Sequence, residues 1–226
     1  MALFVISDLH LSFGSDKPMD IFGWDQYEEK LRANWGAVVG EKDTVLIPGD
    51  ISWATYLEET EADFAFINSL PGQKIILKGN HDYWWTTVKK MNQFLLDKGF
   101  SSLHFLYNNS FSYGRYAICG TRGWGNNGDR VEDNRIWNRE LQRLQLSLEA
   151  ANDYDGVICC LHYPPFDLNG NLSGDYMELF HRYGVEMVCY GHIHTKKPVL
   201  PLEVEGIQFR LTSCDYLQFA PLCLKD

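Results

Sequence analysis

The chain has 226 residues, of which 45% are hydrophobic, and its formal net charge is −10. This length and composition predict a single domain spanning residues 1–226 with a sizeable core. The acidic charge argues against a dedicated binder of long nucleic acid, which needs a basic surface. It does not exclude a small phosphorylated ligand, because bound metal ions can reverse the local charge.

The first half of the chain alternates short apolar strands with helices. The predicted elements are a strand at 4–6, a loop at 12–24, a helix at 26–39, a strand at 44–47, a helix at 56–70, a strand at 75–77 and a helix at 83–98. Pro71 and Gly72 end the second of these helices. The strand at 75–77 runs into a polar cluster, which is where open α/β sheets usually place their chemistry.

The second half begins with strands predicted at 102–107 and 113–120 around a turn at Asn108 and Asn109. The elements that follow are a loop at 123–133, an amphipathic helix from Asn134, a strand at 157–161, a helix at 174–183, a strand at 186–190 and a closing hairpin of 199–205 with 208–213. A loop insert on the substrate side is predicted at about 123–135, which is rich in Gly, Asn and Asp.

Polar side chains follow five of the predicted strands. They are Asp8, His10, Asp50, Asn80, His81, His162, His192 and His194. Asp8 and His10 are two residues apart, as are His192 and His194, and in extended chain this spacing puts both side chains of a pair on one face. Carboxylate, imidazole and amide oxygen together suit divalent Mn, Fe, Co or Zn. The sequence therefore predicts a metal site at the strand ends.

Read in order, these segments are Asp-x-His, Gly-Asp, Gly-Asn-His-Asp, His and Gly-His-x-His. Together they resemble the calcineurin-like metallophosphoesterase superfamily, and the resemblance extends from Phe4 to about Thr195. The resemblance implies an α/β fold of the α+β type: a four-layer αββα arrangement in which a two-sheet β sandwich is flanked by helices. It also implies two divalent metal ions, with Mn, Fe, Zn or Co as the candidates.

The resemblance further implies how the ligands divide between the ions. One ion is expected on Asp8, His10, Asp50 and His194, and the other on Asp50, Asn80, His162 and His192. Asp50 would bridge them. His81 would either donate a proton to the leaving group or stabilise the charge of the transition state, oriented by Asp82 or by another carboxylate. The chain departs from the usual family pattern at Ile51-Ser52-Trp53, which bears on substrate preference more than on metal binding.

The implied function is a dinuclear metal-dependent phosphohydrolase that acts on a small phosphate ester, a monoester or a diester, through a hydroxide bridging the ions. Two alternatives stay open: a nuclease acting on short nucleic acid, and a non-catalytic scaffold of the same fold. The acidic charge counts against the nuclease. The complete ligand pattern counts against the scaffold.

Other residues near the motifs allow two interpretations each. Arg122 is either a phosphate clamp, because a guanidinium matches phosphate bidentately, or a solvated loop arginine. Trp53 and Trp124 either line the substrate cleft or pack in the core. His104 and His181 are predicted to be structural, because neither follows the motif pattern.

Six cysteines without a Cys-x-x-Cys pair indicate small buried hydrophobes in a reducing compartment, not a zinc site or a disulfide framework. The N-terminal apolar segment is too short for a signal peptide, and no apolar run approaches the roughly 20 residues that span a bilayer. We therefore expect a cytoplasmic protein with a small phosphorylated substrate and no membrane contact. The sequence leaves the oligomeric state open.

Overall fold

A computed structural model of the chain describes residues 1–17, 19–125, 131–151, 154–167, 170–195, 197 and 202–226. The strands are β1 (Leu3–Val5), β2 (Thr44–Pro48), β3 (Gln73–Leu77), β4 (Leu103–Phe105), β5 (Phe111–Tyr113), β6 (Tyr116–Thr121), β7 (Gly156–Leu161), β8 (Val185–Tyr190), β9 (Leu202–Val204), β10 (Ile207–Leu211) and β11 (Leu222–Lys225). The α-helices are α1 (Tyr27–Val38), α2 (Glu61–Ser69), α3 (Val88–Lys98), α4 (Val131–Glu149) and α5 (Gly174–Arg182). Two short 3-10 helices cover Met19–Phe22 and Leu57–Thr60.

The strands form two mixed sheets. The first has five strands in the order β11-β1-β2-β3-β4, and the second has six in the order β5-β6-β7-β8-β10-β9. The inner strands pair in parallel, whereas β11, β5 and β9 pair antiparallel at the edges. Parallel strands bring their carboxyl ends to one edge of a sheet, so the segments that follow β1, β2 and β3 emerge side by side.

Three layers of buried side chains hold the sheets and helices together. Leu3 and Val5 of β1 point into the space between the two sheets, and Phe4 points to the opposite face, as the two-residue period of a strand requires. The outer face of the first sheet packs on Leu31 and Trp35, which lie one turn apart on α1. The second sheet is covered by α4 and α5. The four-layer αββα sandwich predicted from the sequence is thus confirmed.

The predicted turn at Asn108 and Asn109 joins different partners from those expected. Asn108 has φ 56°, and the Asn109 side chain accepts a hydrogen bond from the Tyr107 amide at 2.6 Å, so the turn forms. However, β4 belongs to the first sheet and β5 to the second. The turn carries the chain between layers, and the hairpin is instead β5–β6, which turns at Gly114 with φ 54°.

Further differences from the sequence prediction concern α3, α4 and β11. Helix α3 begins at Val88 rather than at residue 83, because the Thr87 hydroxyl caps it by accepting from the Lys90 amide. Helix α4 begins at Val131, inside the predicted loop, and β11 had no counterpart in the prediction. Residues 126–130 of the predicted insert at 123–135, and residues 199–201 of the predicted hairpin, lie outside the described residues, and both the insert and the single-domain assignment stay predictions.

Candidate metal centre

The predicted ligands lie in the segments directly after five parallel strands, β1, β2, β3, β7 and β8. Four of them have left-handed backbone conformations: φ is 59° at Asp8, 46° at His10, 53° at Asp50 and 70° at His192. Non-glycine residues adopt this region at a cost and keep it only where surrounding contacts enforce it. The fold therefore maintains backbone strain that turns these side chains toward a common point.

Asp8, His10 and His194 form one group whose ligand atoms all lie within 4.8 Å of one another. Nε2 of His10 and Nε2 of His194 are 3.2 Å apart. The buried Asp8 carboxylate accepts hydrogen bonds from the hydroxyls of Ser7 and Ser213 and from the His192 amide, which fix its orientation.

Asn80, His162 and His192 meet in a second group. Oδ1 of Asn80 lies 2.6 Å from His162 Nε2 and 2.8 Å from His192 Nδ1. Nδ1 of His162 lies 3.0 Å from the Pro48 carbonyl oxygen, which can only accept, so this nitrogen carries the proton. The lone pair of Nε2 is therefore directed at the group, in the way that an outer hydrogen bond usually orients a metal-binding histidine.

Asp50 lies between the two groups. Its Oδ2 is 3.6 Å from His10 Nε2 and 3.5 Å from His162 Nε2. Asp8, Asp50 and His162 also fall within 4.8 Å of one another, so Asp8 as well as Asp50 reaches both sides of the centre.

The electrostatics of these groups fit bound cations. Burial, followed by the neighbouring Asp82 and Asp8, raises the pKa of Asp50 far above the usual carboxyl range. Burial is also the main cause that lowers the pKa of His10, His162 and His192, so these imidazoles are neutral and keep a lone pair. Close, buried carboxylates with neutral imidazoles are a donor set that a divalent ion stabilises, and Nδ1 of His10 is buried without a hydrogen-bond partner among the described residues.

His81 stands beside this centre without joining either group. Its ring centroid is 5.6 Å from that of His10 and 4.5 Å from that of Trp53, and its amide donates to Asp50 Oδ1. Nδ1 of His81 is buried, and no described residue bonds to it. Burial lowers the pKa of His81, with smaller contributions from His194 and Lys17.

Asp82 does not orient His81. Its carboxylate accepts hydrogen bonds from the amides of Asp50, Ile51, Ser52 and Gly79 and from the indole nitrogen of Trp84. It therefore joins the segment after β2 to the segment after β3. A Cβ on Gly79 would overlap the Asp50 side chain and its backbone nitrogen, so only glycine fits this contact.

Arg122 is held beside the centre by the backbone. Its carbonyl accepts hydrogen bonds from the amides of His162 and Tyr163, and its guanidinium lies 4.9 Å over the Trp124 ring. Its side chain is only 15% exposed and faces Glu140 at 3.6 Å. The solvated-loop interpretation is therefore wrong. Arg139 and Arg143 contact the same glutamate at 3.4 and 2.7 Å, which leaves this cluster with excess positive charge.

The tryptophans near the motifs divide between cleft and core. Trp53 stacks on His10 with a centroid separation of 4.9 Å, and Trp124 contacts Tyr163 on the Arg122 side. Trp84 is buried in the core. The two other histidines hydrogen bond elsewhere: His104 with Gln73 and His181 with Glu205.

Asp215 was missed by the sequence analysis. Its Oδ1 lies 3.1 Å from His194 Nδ1, so it orients that ring and leaves Nε2 directed at Asp8 and His10. A sequence signal was present, because Thr212, Ser213 and Asp215 follow strand β10, whose alternate side chains are buried, just as the motif residues follow their strands. The sequence prediction assigned a closing hairpin to this region and considered no functional residue after it, so Asp215 was not identified.

Residues 1–196 match the sequence model of the calcineurin-like phosphoesterase family. The gene 66 protein of Mycobacterium phage L5 is 36% identical over 80 residues, which cover 34% of this chain and 37% of the phage protein.

Solved structures with the same fold share little sequence with this chain. The phosphopantetheinyl hydrolase PptH from Mycobacterium tuberculosis has a TM-score of 0.58 at 13% identity, covering 96% of this chain and 90% of its own. TT1561 of Thermus thermophilus also has a TM-score of 0.58 at 13% identity, with coverages of 99% and 97%. None of the described helices has the length and apolar character required to cross a bilayer.

Proposed function

The chain belongs to the calcineurin-like phosphoesterase family, and on that basis we propose that it is a metal-dependent phosphoesterase that hydrolyses a small phosphate ester at a dinuclear centre. The substrate is a phosphomonoester or a phosphodiester. The observation that carries the proposal is the position of Asp50, whose Oδ2 lies 3.6 Å from His10 Nε2 and 3.5 Å from His162 Nε2, one histidine from each group.

Asp8, His10, Asp50 and His194 would hold one divalent ion, and Asp50, Asn80, His162 and His192 the other. Mn, Fe, Zn and Co all suit these nitrogen and oxygen donors. Two such ions, when bound, would supply a nucleophilic water at neutral pH and offset the phosphoryl charge. Asn80 contributes a neutral oxygen, which limits negative charge around an anionic substrate.

The remaining work falls to side chains that do not bind the ions. His81 donates a proton to the leaving oxygen, since it is the motif histidine outside both groups. Arg122 binds the phosphate. The excess positive charge around Glu140 favours that role, because a single carboxylate cannot neutralise three guanidinium groups.

Two substitutions test the division of roles between Asp50 and His81. Asp50→Asn should remove most of the bound metal, because it weakens both groups at once. His81→Ala should keep the metal and lower kcat by about 100- to 10,000-fold, the usual range for a general acid. Metal content is measured by mass spectrometry, and turnover is measured with phenyl phosphate and diphenyl phosphate in the presence of Mn, Fe, Zn or Co, because phenol depends on protonation as it leaves more than p-nitrophenol does.

His104→Ala is the matched control, because His104 bonds to Gln73 outside the centre and its loss should change neither quantity. Asp50→Asn protein with a full complement of metal would refute the bridging role. A folded wild-type protein that hydrolyses neither ester with any of the four metals would refute the enzymatic function and favour the scaffold.

A further inference from the structure

A cavity of about 480 Å³ opens directly beside the proposed metal centre. Two histidines of the centre, His10 and His194, form part of its wall together with His81. The volume falls within the range of about 300–1,000 Å³ that is usual for small-ligand sites. The cavity is therefore continuous with the chemistry and large enough for a substituent of the substrate.

The rest of the wall is largely apolar. Met19, Phe22, Trp24 and Trp53 line it. The Trp53 ring lies 4.9 Å from the His10 ring and 4.5 Å from the His81 ring, and Trp24 lies 5.6 Å from His194. Aromatic rings thus surround the histidines on this side of the centre.

Among the described residues, the polar groups of this wall leave no charge free for an anion. The lining carboxylate, Asp215, is engaged with His194 at 3.1 Å. The neighbouring cation, Lys17, lies 5.0 Å from the Trp53 ring centroid and is not among the described residues that line the cavity. The wall suits an apolar group, in contrast to the arginine cluster around Glu140.

Phe22 adds a second argument. It is 63% exposed, at the end of the short helix Met19–Phe22, and it lines the mouth of the cavity. A ligand in the cavity would cover the Phe22 ring and the apolar wall together, and this favours binding because both surfaces leave water.

The position of His81 decides which part of a substrate enters. A general acid must lie within hydrogen-bond reach of the oxygen that it protonates, so the bond to the leaving alcohol has to face the wall that His81 occupies. Hydrolysis forms a P–O bond to water and breaks the P–O bond to the alcohol. The alcohol oxygen takes the proton from His81, and water releases one proton to solvent.

We propose that this cavity, which we name the leaving-group pocket (Met19, Phe22, Trp24 and Trp53, with His81), binds the alcohol part of the substrate and selects esters whose alcohol carries a flat apolar group. This selection rests on the proposed phosphoesterase function. The pocket binds the ring system by aromatic contact and exclusion of water, while the phosphate stays at the centre.

The test compares two esters that differ in the apolar group alone. Ethyl phosphate and 2-(1-naphthyl)ethyl phosphate release primary alcohols of similar acidity, so the chemical step is equally demanding and a difference reports binding of the ring. We expect kcat/KM to be about 10- to 100-fold higher for the naphthyl ester. Both compounds are also tested as their methyl diesters. The comparison of kcat/KM is then made within the class, monoester or diester, that the protein hydrolyses faster.

Phe22→Ala should reduce the preference for the naphthyl ester about fivefold or more, because it removes one wall of the pocket. Ile21→Ala is the matched control: Ile21 is 75% exposed on the same short helix, does not line the cavity and should leave the preference unchanged. Equal kcat/KM for the two esters would overturn the proposal while leaving the phosphoesterase function intact. Hydrolysis of neither ester with any metal would instead contradict the function itself.

A binding measurement separates the pocket from turnover. With ¹⁵N-labelled tryptophan in the zinc-loaded protein, 2-(1-naphthyl)ethylphosphonate should shift the indole resonance of Trp53, which donates to Met19 Sδ at 3.3 Å. The resonance of Trp137, which bonds to Asp175 on the other side of the sandwich, should not move. A shift at Trp137 without one at Trp53 would place the ring elsewhere and overturn the proposal.

Discussion

The carboxylate of Asp82 holds the segment after β2 against the segment after β3. It is fully buried and accepts hydrogen bonds from four backbone amides and from the Trp84 indole. The amides of Asp50 and Gly79 are among these donors, so the spacing between two predicted ligands, Asp50 and Asn80, depends on a residue that contacts neither ion in our proposal.

Asp82→Ala should therefore destabilise the whole protein as well as the centre. Each buried donor left unpaired costs about 1–3 kcal/mol, and even partial relaxation leaves a loss of about 3 kcal/mol or more. For a chain of this size that lowers Tm by roughly 6–12 °C, measured by calorimetry. Asp97→Ala is the control, because Asp97 is exposed and bonds only with Gln93 among the contacts seen. A Tm within about 2 °C of wild type would contradict the role of Asp82 in holding the two segments together.

Arg122 and Arg139 provide a matched pair of residues. Both face the Glu140 carboxylate, but the Arg122 side chain is 15% exposed and its backbone carbonyl accepts from the His162 amide, whereas the Arg139 side chain is 50% exposed. The same ion-pair partner therefore serves one mostly buried arginine, whose backbone is bonded to a candidate ligand, and one arginine that is half exposed.

Arg122→Gln should raise KM about 10- to 100-fold, which corresponds to the loss of a charge-assisted hydrogen bond to the phosphate. Metal content should not change, because Arg122 holds no ion. Arg139→Gln should leave KM within about twofold. Steady-state kinetics on p-nitrophenyl phosphate measure KM for both variants. Equal effects of the two substitutions on KM would show that Arg122 is only a structural partner of Glu140.

At the scale of elements, the segment between β3 and α3 carries the highest density of function. Gly79, Asn80, His81 and Asp82 follow one another there, and each serves a different purpose. Gly79 allows close approach to Asp50, and Asn80 is a candidate ligand. His81 is a candidate acid, and Asp82 joins this segment to the segment after β2. The Trp84 indole donates to Asp82, and α3 begins only after Thr87, which caps it.

Gly79→Ala should abolish metal binding, because the added Cβ overlaps the Asp50 side chain. Gly36→Ala is the control. Gly36 lies on α1, where a Cβ would meet nothing within 4 Å, so alanine there should stabilise the helix by about 1 kcal/mol. Titration with Mn²⁺ by calorimetry measures the outcome. Unchanged Mn²⁺ affinity in Gly79→Ala would show that the two segments can separate without losing the centre.

The element boundaries show where local patterns lose their predictive value. The turn at Asn108 was readable because asparagine tolerates a positive φ, but a turn does not reveal whether the next strand returns to the same sheet. Strand β11 is four residues long with an unremarkable pattern of half-buried side chains, and only its pairing with β1 makes it a strand.

At the scale of the whole molecule, the centre joins the two sheets. Asp8, Asp50 and Asn80 follow strands of the first sheet, and His162 and His192 follow strands of the second. An ion held by both sets would link the layers of the sandwich and stabilise the folded chain, which alone presents these residues together.

Removal of metal with a chelator should therefore lower Tm, and more so as pH rises from about 6.5 to about 8.5. Burial, Asp82 and Asp8 raise the pKa of Asp50 to about 9. In this window the metal-free folded state keeps a proton that the unfolded state has lost, so its stability falls as pH rises. Bound metal replaces that proton. Calorimetry of both forms across the window is the measurement, and a constant Tm difference would contradict the linkage.

The sequence by itself determined the fold class and identified the candidate ligands, because strand-end motifs are local and their order along the chain is specific to a family. The ligand roles and the role of His81 stay predictions. Only the tertiary structure decided that Asp82 joins the segments after β2 and β3, that Asp215 orients His194 and that the apolar leaving-group pocket opens at His81. These depend on contacts such as that between His194 and Asp215, and on pairing between distant strands, which no local pattern encodes.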